Sequence, residues 1–247
     1  MNISIMTFNL RFGLAEDGDN AWLLRKPLVE KLLRKYPADF IGFQESNHFQ
    51  TEFLASVLSD HRFVGWHNRE VERWQSDPIY FHDSWKCLRH QHRFLSETPA
   101  VESRLPGSKW PRQCVLGLFE KDNRQVILAN THFDFDEDIQ KKSAEILLGF
   151  LEDYPPDIPV VITGDFNANP GSQAYSVFMN AGFSEVSQDR YATTFHGFSG
   201  KETGRHIDWI LYRGDLTLTQ SEIIIESSAG RFPSDHYPVL SRFAPDG

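Results

Sequence analysis

The stretch of residues 159–170 constrains the fold of this chain more than any other part of the sequence. It contains a run of β-branched residues, 160–162, which is typical of a buried strand. Gly164 then allows a sharp turn, and Asp165 and Asn167 follow where the strand ends. Such residues can serve simply as turn formers. A neighbouring carboxylate and carboxamide on a rigid strand end can also act together on one small polar group.

The same combination of an apolar run and a polar end recurs along the chain. If the strands concerned lie side by side, their ends meet at one edge, and the crowded carboxylates raise each other's pKa unless a cation joins them. A donor set of mostly oxygen atoms, without a cluster of cysteine and histidine, favours magnesium or manganese over zinc. The polar strand ends are Asn9, Glu45, His132, Asp165, Asn167, Asp208, Asp235 and His236.

Predicted strands far outnumber predicted helices, and the helices fall between pairs of strands. This pattern indicates an α/β fold in which two sheets pack face to face with helices outside, rather than one doubly wound sheet. The sequence shows no domain linker, and we predict a single domain over residues 1–247. In the first helix, leucines at helical spacing are expected to face the core, with lysine and arginine on the other face. These leucines are Leu24, Leu28, Leu32 and Leu33. The predicted helices are 23–36, 47–59, 138–153 and 174–181, and the predicted strands are 2–8, 39–43, 63–66, 79–82, 86–94, 112–120, 125–131, 160–162, 206–212, 216–226 and 238–243.

The composition is typical of a globular protein, with 40% hydrophobic and 24% charged residues. A formal net charge of −9 supplies no basic surface that would attract nucleic acid by itself, and it argues against a long groove that tracks many phosphates. The N-terminus lacks a basic start, and no run approaches the roughly 20 apolar residues of a membrane span, so we expect a cytoplasmic protein. Cys87 and Cys114 lie far apart in apolar contexts and are expected to be free buried thiols.

Six short blocks of sequence lie at or beside these strand ends. They are Thr-Phe-Asn-Leu-Arg at 7–11, Gln-Glu-Ser at 44–46, Asn-Thr-His-Phe-Asp at 130–134, Gly-Asp-Phe-Asn at 164–167, His-Ile-Asp-Trp-Ile at 206–210 and Ser-Asp-His-Tyr-Pro at 234–238. Together they resemble the endonuclease/exonuclease/phosphatase superfamily with its DNase I-like fold, and all six occur in the family's order. The resemblance implies a four-layer α/β/β/α sandwich of two mostly antiparallel sheets. It also implies metal-dependent cleavage of phosphate esters.

Carried over by position, the resemblance assigns a metal site and the residues around the attacking water. Glu45 looks like the main magnesium ligand, assisted by Asn9 and Asp235. Asp165 resembles the residue that orients or deprotonates the attacking water, and Asn167 would donate to a phosphate oxygen. In-line attack on phosphorus needs an activated water, a cation on the phosphoryl oxygens and an acid near the leaving group.

The resemblance also assigns an acid and two histidines. Asp208 and His236 resemble the family's carboxylate–imidazole pair, in which the acid fixes the tautomer of the ring and stabilises the imidazolium. His132 would donate a hydrogen bond to the phosphoryl group or to the leaving oxygen. Asp165 and His236 are both candidates for the base that activates the water, because coupled groups share their protons.

Arg11, Arg112 and His196 are further candidates for contact with the substrate phosphate, and each also has a structural interpretation. Arg11 replaces the aspartate that some nuclease branches place two residues after the asparagine, which indicates a closer similarity to the DNase I and phosphodiesterase branches. Arg112 follows the long irregular stretch 96–111, and a guanidinium can bind phosphate with two hydrogen bonds. Tryptophans that either stack on a base or sugar or pack at the rim are Trp66, Trp74 and Trp110.

The sequence therefore predicts a hydrolase, a metal-dependent phosphoesterase with Mg²⁺ or Mn²⁺ as its cofactor and a phosphate ester as its substrate. The acidic chain fits a small or single-stranded nucleotide-like substrate better than duplex DNA. Two alternatives stay open: an endonuclease that acts on duplex DNA, and a non-catalytic phosphate-binding module on the same fold. The second alternative would be marked by the loss of a matched position, and none is lost. No partner protein is predicted.

Overall fold

The computed structural model describes residues 2–66, 71–187 and 192–244, and it contains two six-stranded sheets and four α-helices. The strands are β1 (Ile3–Asn9), β2 (Phe40–Gln44), β3 (His61–Val64), β4 (Ile79–His82), β5 (Lys86–Phe94), β6 (Gln113–Lys121), β7 (Arg124–His132), β8 (Val160–Asp165), β9 (Ser184–Glu185), β10 (Asp208–Arg213), β11 (Thr217–Ile223) and β12 (Val239–Ala244). The helices are α1 (Trp22–Lys35), α2 (His48–Val57), α3 (Glu137–Leu151) and α4 (Gln173–Asn180). The strand order is β11-β12-β1-β2-β4-β3 in the first sheet and β5-β6-β7-β8-β10-β9 in the second.

The two sheets pack face to face, and helices cover both outer faces. Apolar side chains from both sheets meet in the middle layer, where Ile5 and Phe40 of the first sheet share a core with Val161 of the second. Helices α1 and α2 pack on the outer face of the first sheet, and α3 and α4 pack on that of the second. The fold is therefore the four-layer α/β/β/α sandwich that the sequence predicts.

Strand β1 shows why the central strands are apolar on both faces. Ile3 and Ile5 point into the layer between the sheets, whereas Met6 and Phe8 pack beneath the helices. All seven residues of the strand are buried. Because neither face meets water, the sequence of such a strand is a nearly continuous apolar run until the strand ends.

The strand pairing brings the polar strand ends to one edge of the sandwich. Strand β1 is parallel to β2, with Asn9 opposite Gln44. Strand β7 is parallel to β8, with His132 opposite Asp165, and β10 is antiparallel to β8, with Asp208 opposite Asp165. The last residues of both parallel pairs and the first residue of β10 therefore lie at the same edge, which we call the polar edge.

A buried group of hydrogen bonds, the inter-sheet clasp, joins the two sheets beneath the polar edge. The side-chain amide of Asn130 donates to the carbonyl oxygen of Phe43 (2.7 Å). Its Oδ1 accepts from Gln44 Nε2 (2.7 Å) and from Thr163 Oγ1 (3.0 Å). A Cβ atom at Gly42 would collide with the side chains of Thr163 and Asn130, so glycine is what lets the sheets approach this closely.

The inward face of α1 differs from the predicted one. Leu23 and Leu24 are 79% and 45% exposed, whereas Arg25 is 1% exposed. The prediction that Leu24 faces the core, with every arginine on the opposite face, was therefore wrong. The helix is buried along a different stripe because Trp22 and an arginine that binds backbone carbonyls occupy its first turn. The buried residues are Trp22, Arg25, Val29, Leu32 and Leu33.

The other predicted helices and strands are present, with bounds that differ by three residues or fewer. Strand β9 and a short 3₁₀ turn at Gly18–Asn20 were not predicted, because two or three residues carry no periodicity. Residues 96–111 form no helix or strand, as predicted. Both cysteines are free, as predicted, and Cys114 is buried. The prediction of a buried thiol was wrong for Cys87, which is partly exposed because β5 is an edge strand of the second sheet. Within the described ranges, no helix has the length and apolar character needed to cross a membrane.

Candidate active site

Asp208 and His236 form a buried pair at the start of β10. Their closest atoms are His236 Nδ1 and Asp208 Oδ2, 2.9 Å apart. The backbone N–H groups of Ile207 and Asp208 both donate to Thr194 Oγ1, which fixes the segment that carries the aspartate. Burial opposes a charge on the ring, but the nearby carboxylates, Asp208 first among them, outweigh burial and raise the pKa of His236 to about 10. The ring is therefore an imidazolium at neutral pH.

Asp165 lies at the centre of the polar edge. Its Oδ2 accepts a hydrogen bond from Asn9 Nδ2 (2.9 Å) and lies 3.5 Å from His132 Nε2 and 3.8 Å from His236 Nε2. Its Oδ1 accepts from the backbone N–H of Asn167 (2.9 Å). Burial, together with the charge of a neighbouring aspartate, raises the pKa of Asp165 to about 7. This carboxyl group therefore changes its charge close to neutral pH.

His132 and Asn167 contact each other on the β7 side of Asp165. Asn167 Nδ2 lies 3.1 Å from His132 Nε2 and donates to the carbonyl oxygen of Phe133 (3.1 Å). Both amide hydrogens are thus engaged within the protein, and His132 Nε2 is the acceptor. Burial, with Arg112 and His236 nearby, lowers the pKa of His132 well below its ordinary value, so this ring is neutral.

Glu45 follows β2 directly and brings its carboxylate to the polar edge from the first sheet. Its backbone is left-handed, with φ of 61°, which turns the chain sharply after the strand. Glu45 Oε2 accepts from the N–H of Phe12 (2.7 Å), and Oε1 lies 3.3 Å from Asn9 Nδ2. Because Asn9 Oδ1 accepts from the N–H of Arg11 (2.8 Å), Asn9 presents its amide nitrogen to the carboxylates.

Two overlapping groups of side chains at the polar edge have the geometry of a metal site. Within each group, one ligand atom per residue lies within 4.8 Å of the others. Asp235 lies outside both groups, with Oδ1 4.0 Å from His236 Nε2 and Oδ2 3.7 Å from Arg11 Nε. A donor set of crowded, mostly buried carboxylates fits a hard divalent cation, which would offset their repulsion. The groups are Glu45 with His132 and Asp165, and Asp165 with Asp208 and His236; the protonated ring of His236 cannot be a ligand, which leaves the first group as the candidate metal site.

Two of the three further phosphate candidates are held by other side chains. Arg11 donates from Nε and Nη2 to the two carboxylate oxygens of Asp17, at 2.9 Å and 2.8 Å, and this ion pair raises the pKa of Arg11. His196 is stacked on Tyr237, with ring centroids 3.9 Å apart. Burial lowers the pKa of His196 to about 4, so the ring is neutral.

Arg112, the third candidate, is buried between acidic residues that sequence reasoning did not single out. Its Nε lies 3.9 Å from Asp134 Oδ2 and has no hydrogen-bond partner among the described residues. Asp77 is also buried, and burial raises its pKa to about 8, although Arg112 opposes this. The carboxylate of Asp77 also accepts a hydrogen bond from the backbone of Glu45. Asp134 ends the block at 130–134, whereas no pattern in the sequence marked Asp77.

Arg25 is a second buried arginine that sequence reasoning missed. Its guanidinium donates to the carbonyl oxygens of Leu10 (2.9 Å), Pro233 (2.6 Å) and Asn20 (2.7 Å). Burial lowers the pKa of Arg25 to about 10, which leaves it charged at neutral pH. This side chain therefore ties the segment after β1 to the loop that carries Asp235. The acceptors are backbone atoms distant in sequence, so no motif could have revealed the contact.

The four-layer sandwich, with polar strand ends gathered from both sheets, places this protein in the DNase I-like class. The chain belongs to the Endonuclease/Exonuclease/phosphatase family, whose family model matches residues 6–236. Members of this family are phosphoesterases and nucleases. No curated protein sequence matches the chain significantly.

Solved structures with the same fold cover nearly the whole chain. A mannosyl-6-phosphatase from Bacteroides thetaiotaomicron is 22% identical, with a TM-score of 0.89 over 98% of this chain and 99% of that one. TDP2 from D. rerio, complexed with a single-strand DNA product, is 18% identical, with a TM-score of 0.80 over 98% and 99%. The human Nocturnin catalytic domain with bound sulfate is 19% identical, with a TM-score of 0.78 over 99% and 93%. At these identities the likeness shows the fold alone.

Proposed function

We propose that this protein is a metal-dependent phosphoesterase that hydrolyses a phosphodiester or a phosphomonoester by in-line attack of an activated water. The observation that carries the proposal is the position of Asp165. Its carboxylate lies 3.8 Å from the Nε2 of His236, which is paired with Asp208. It also accepts from Asn9, whose amide reaches Glu45 of the other sheet. One carboxylate thus links the acid–imidazole pair to the candidate metal site.

The protonation states favour Asp165 as the base. His236, with its pKa raised to about 10, already carries a proton at neutral pH, whereas the pKa of Asp165 is about 7. A base works best when its pKa lies near the operating pH. Asp165 therefore accepts the proton of the attacking water. Asp208 holds the His236 imidazolium, whose charge stabilises the negative phosphoryl oxygens as the bond to the leaving group breaks.

Glu45, a member of the candidate ligand group, would hold Mg²⁺ or Mn²⁺, as the family pattern implies, and Asp165 beside it would take the proton of the attacking water. When bound, the ion supplies charge neutralisation at the phosphoryl oxygens and lowers the pKa of the attacking water. Asn9 orients both carboxylates, because its amide nitrogen is turned toward them. Asp235 contributes a further carboxylate from the His236 side, as the family pattern implies.

Asn167 and His132 serve the phosphoryl group and the leaving oxygen. A phosphoryl oxygen can replace His132 Nε2 as the acceptor of one Asn167 amide hydrogen, while the other hydrogen keeps its bond to the carbonyl of Phe133. A neutral imidazole can carry its proton on either nitrogen. Once released from Asn167, His132 can therefore donate from Nε2 to the leaving oxygen.

A small or single-stranded nucleotide-like phosphate ester fits the chain best as its substrate. A net charge of −9 disfavours a long polyanion, whose binding depends on many basic contacts. The fold relatives include a mannosyl-6-phosphatase and a protein complexed with single-strand DNA, and both support a compact or single-stranded ester. Efficient cleavage of long duplex DNA with little dependence on salt would instead favour the endonuclease alternative.

The experiment that tests this function is hydrolysis of bis(p-nitrophenyl) phosphate and p-nitrophenyl phosphate in EDTA, Mg²⁺ or Mn²⁺. We expect metal-dependent release of nitrophenol by the wild type and its loss in Asp165→Asn. Asp215→Asn is the matched control, because Asp215 is an exposed aspartate in the loop after β10. Hydrolysis that persists in EDTA, or survives in Asp165→Asn, would contradict the proposal. Activity on the monoester alone would assign a phosphatase.

A further inference from the structure

Two aromatic side chains stand out on the surface of the described ranges. Phe135 is 62% exposed and Trp110 is 50% exposed, and no other described aromatic residue is exposed by half or more. Phe135 lies three residues after His132, and Trp110 lies two residues before Arg112. Both therefore flank residues already placed at or beside the polar edge. Large exposed rings of this kind, rimmed by polar groups, are typical of ligand contact.

A buried carboxylate fixes both aromatic residues in place. Asp134 is 3% exposed, and its Oδ2 accepts from Ser108 Oγ (2.7 Å) and from the N–H of Lys109 (3.2 Å). Ser108 Oγ also lies 2.8 Å from the carbonyl oxygen of Trp110. Asp134 Oδ1 accepts from the N–H of Phe135 (2.8 Å). One side chain thus holds the end of the long loop against the segment after β7, so the rings are presented from a rigid base.

Each ring has a cation on one side. The guanidinium carbon of Arg112 lies 5.5 Å from the centroid of Phe135, and Lys109 Nζ lies 5.1 Å from that of Trp110. Arg112 is 8% exposed whereas Phe135 is 62% exposed, so a buried guanidinium contacts a ring that is largely open to solvent. The charge of Arg112 is also felt by Asp165 and Glu45. The ring and the candidate metal site are therefore linked by one buried arginine.

The other loop tryptophans are arranged differently. Trp66 and Trp74 pack on each other, with centroids 4.8 Å apart, and both contact Phe94. Trp66 also contacts His92. These rings pack against one another as a cluster at the rim. Mutual packing, rather than stacking on a ligand, therefore explains their positions. Phe135 and Trp110 have no such aromatic partner among the described residues.

We propose that Phe135 and Trp110 form a subsite that stacks on the base of the substrate while its phosphate binds at the polar edge. This inference rests on the proposed function and adds the residues that would recognise the nucleoside part of the substrate. A nucleobase fits because its flat face can cover an exposed ring, and such stacking tolerates any base. Lys109 and Arg112 supply positive charge beside the rings, which suits an electron-rich base joined to a phosphate.

The test is equilibrium binding of AMP, ribose 5-phosphate and inorganic phosphate to Asp165→Asn in Mg²⁺ by calorimetry. The first two ligands share the sugar and the phosphate, so their difference reports the base. We expect AMP to bind about tenfold more tightly than ribose 5-phosphate, as one base–aromatic stack allows. A second substitution in this variant, Phe135→Ala, should remove the preference for AMP without weakening the binding of ribose 5-phosphate. Phe135→Trp in its place should keep the preference for AMP.

Val101→Ala is the control, because Val101 is an apolar residue about as exposed as Phe135 (60%) and lies in the long loop that also carries Trp110. It should leave the AMP preference unchanged. Equal affinity for AMP and ribose 5-phosphate, or a Phe135→Ala variant that keeps the preference, would overturn the subsite. If the wild type hydrolyses no phosphate ester but the preference for AMP is intact, the subsite is supported and only the proposed function is contradicted.

Discussion

Asp165 has a side chain that is almost fully buried among carboxylates and imidazoles. Burial and the charge of Asp208 raise its pKa from 3.8 to about 7, although the His236 charge opposes them. A carboxyl group held in this way can accept a proton near neutral pH, which an exposed aspartate does poorly. The same crowding makes a bound divalent cation favourable, because the cation offsets the repulsion.

His206 shows at the same scale how a hydrogen-bond pattern fixes a charge. Its Nε2 lies 2.8 Å from Glu185 Oε1, and its Nδ1 lies 2.8 Å from the carbonyl oxygen of Ala192. Both partners are acceptors, so both ring nitrogens carry protons. Burial opposes the charge, but Glu185 outweighs burial and raises the pKa of His206 above 6.5. This imidazolium stabilises the loop that leads into β10.

Replacing Glu185 by glutamine should therefore destabilise the protein in a pH-dependent way. A raised pKa in the folded state contributes stability that is fully present below about pH 6.5 and is lost as the pH rises through the folded value. We expect Glu185→Gln to cost about 2 kcal/mol near pH 6 and clearly less near pH 9. Urea unfolding at the two pH values measures this. An equal cost at both would show that the charge of His206 contributes nothing.

Helix α1 acts, at the scale of elements, as the anchor of two loops of the site. Arg25 in its first turn binds the carbonyls of Leu10 and Pro233, which lie 15 and 208 residues away in sequence. The first loop leads to Arg11 and the second to Asp235. A donor with several N–H groups is needed because these buried carbonyls meet no water.

Removing the charge of Arg25 should weaken this anchor. We expect Arg25→Met to lower the free energy of unfolding by about 2–4 kcal/mol, because buried carbonyls lose their donor. Arg34→Met is the control on the same helix, since Arg34 is exposed and pairs with Glu30 one turn away, and its cost should stay within about 0.5 kcal/mol. Chemical denaturation measures both variants. Similar costs for the two would contradict the role of Arg25.

The sequence predicted the elements, and the residues that the structure brings together at the polar edge, better than it predicted the contacts that support them. His132, Asp165 and Asp208 could be found because strands buried on both faces are apolar until they end, so a polar end is conspicuous. Arg25 and Asp77 could not be found, because their partners are brought near only by the complete fold. The buried face of α1 was predicted wrongly for the same reason. Leu24 has the spacing of a core residue, but Arg25 is buried in the first turn in its place.

The inter-sheet clasp determines, at the scale of the whole molecule, how the two halves of the site face each other. Asn130 lies on β7, two residues before His132, and it binds Gln44, the residue before Glu45. The second sheet therefore holds the first in register directly beneath the polar edge. Hydrogen bonds fix an orientation between sheets that apolar packing alone leaves less defined.

Loss of the clasp should destabilise the protein. Asn130→Ala removes the side-chain donor to the carbonyl of Phe43 and one of the acceptors of the Gln44 amide, and we expect a cost of about 3 kcal/mol in the free energy of unfolding. The exposed Asn180 at the end of α4 provides the control, and Asn180→Ala should change stability by less than about 1 kcal/mol. Urea unfolding compares them. A near-neutral Asn130→Ala would mean that packing alone aligns the sheets.

The central claim is that strand ends from both sheets form one metal-dependent hydrolytic centre, and a double-mutant cycle tests it most directly. Glu45→Gln changes the first sheet, and Asp208→Asn changes the second. We expect each single variant to lower the Mg²⁺-dependent kcat/KM for bis(p-nitrophenyl) phosphate about a thousandfold. The double variant should then be hardly worse than either, because residues of one centre act as a unit. Losses that multiply, or a single variant with near-wild-type activity, would contradict a shared centre.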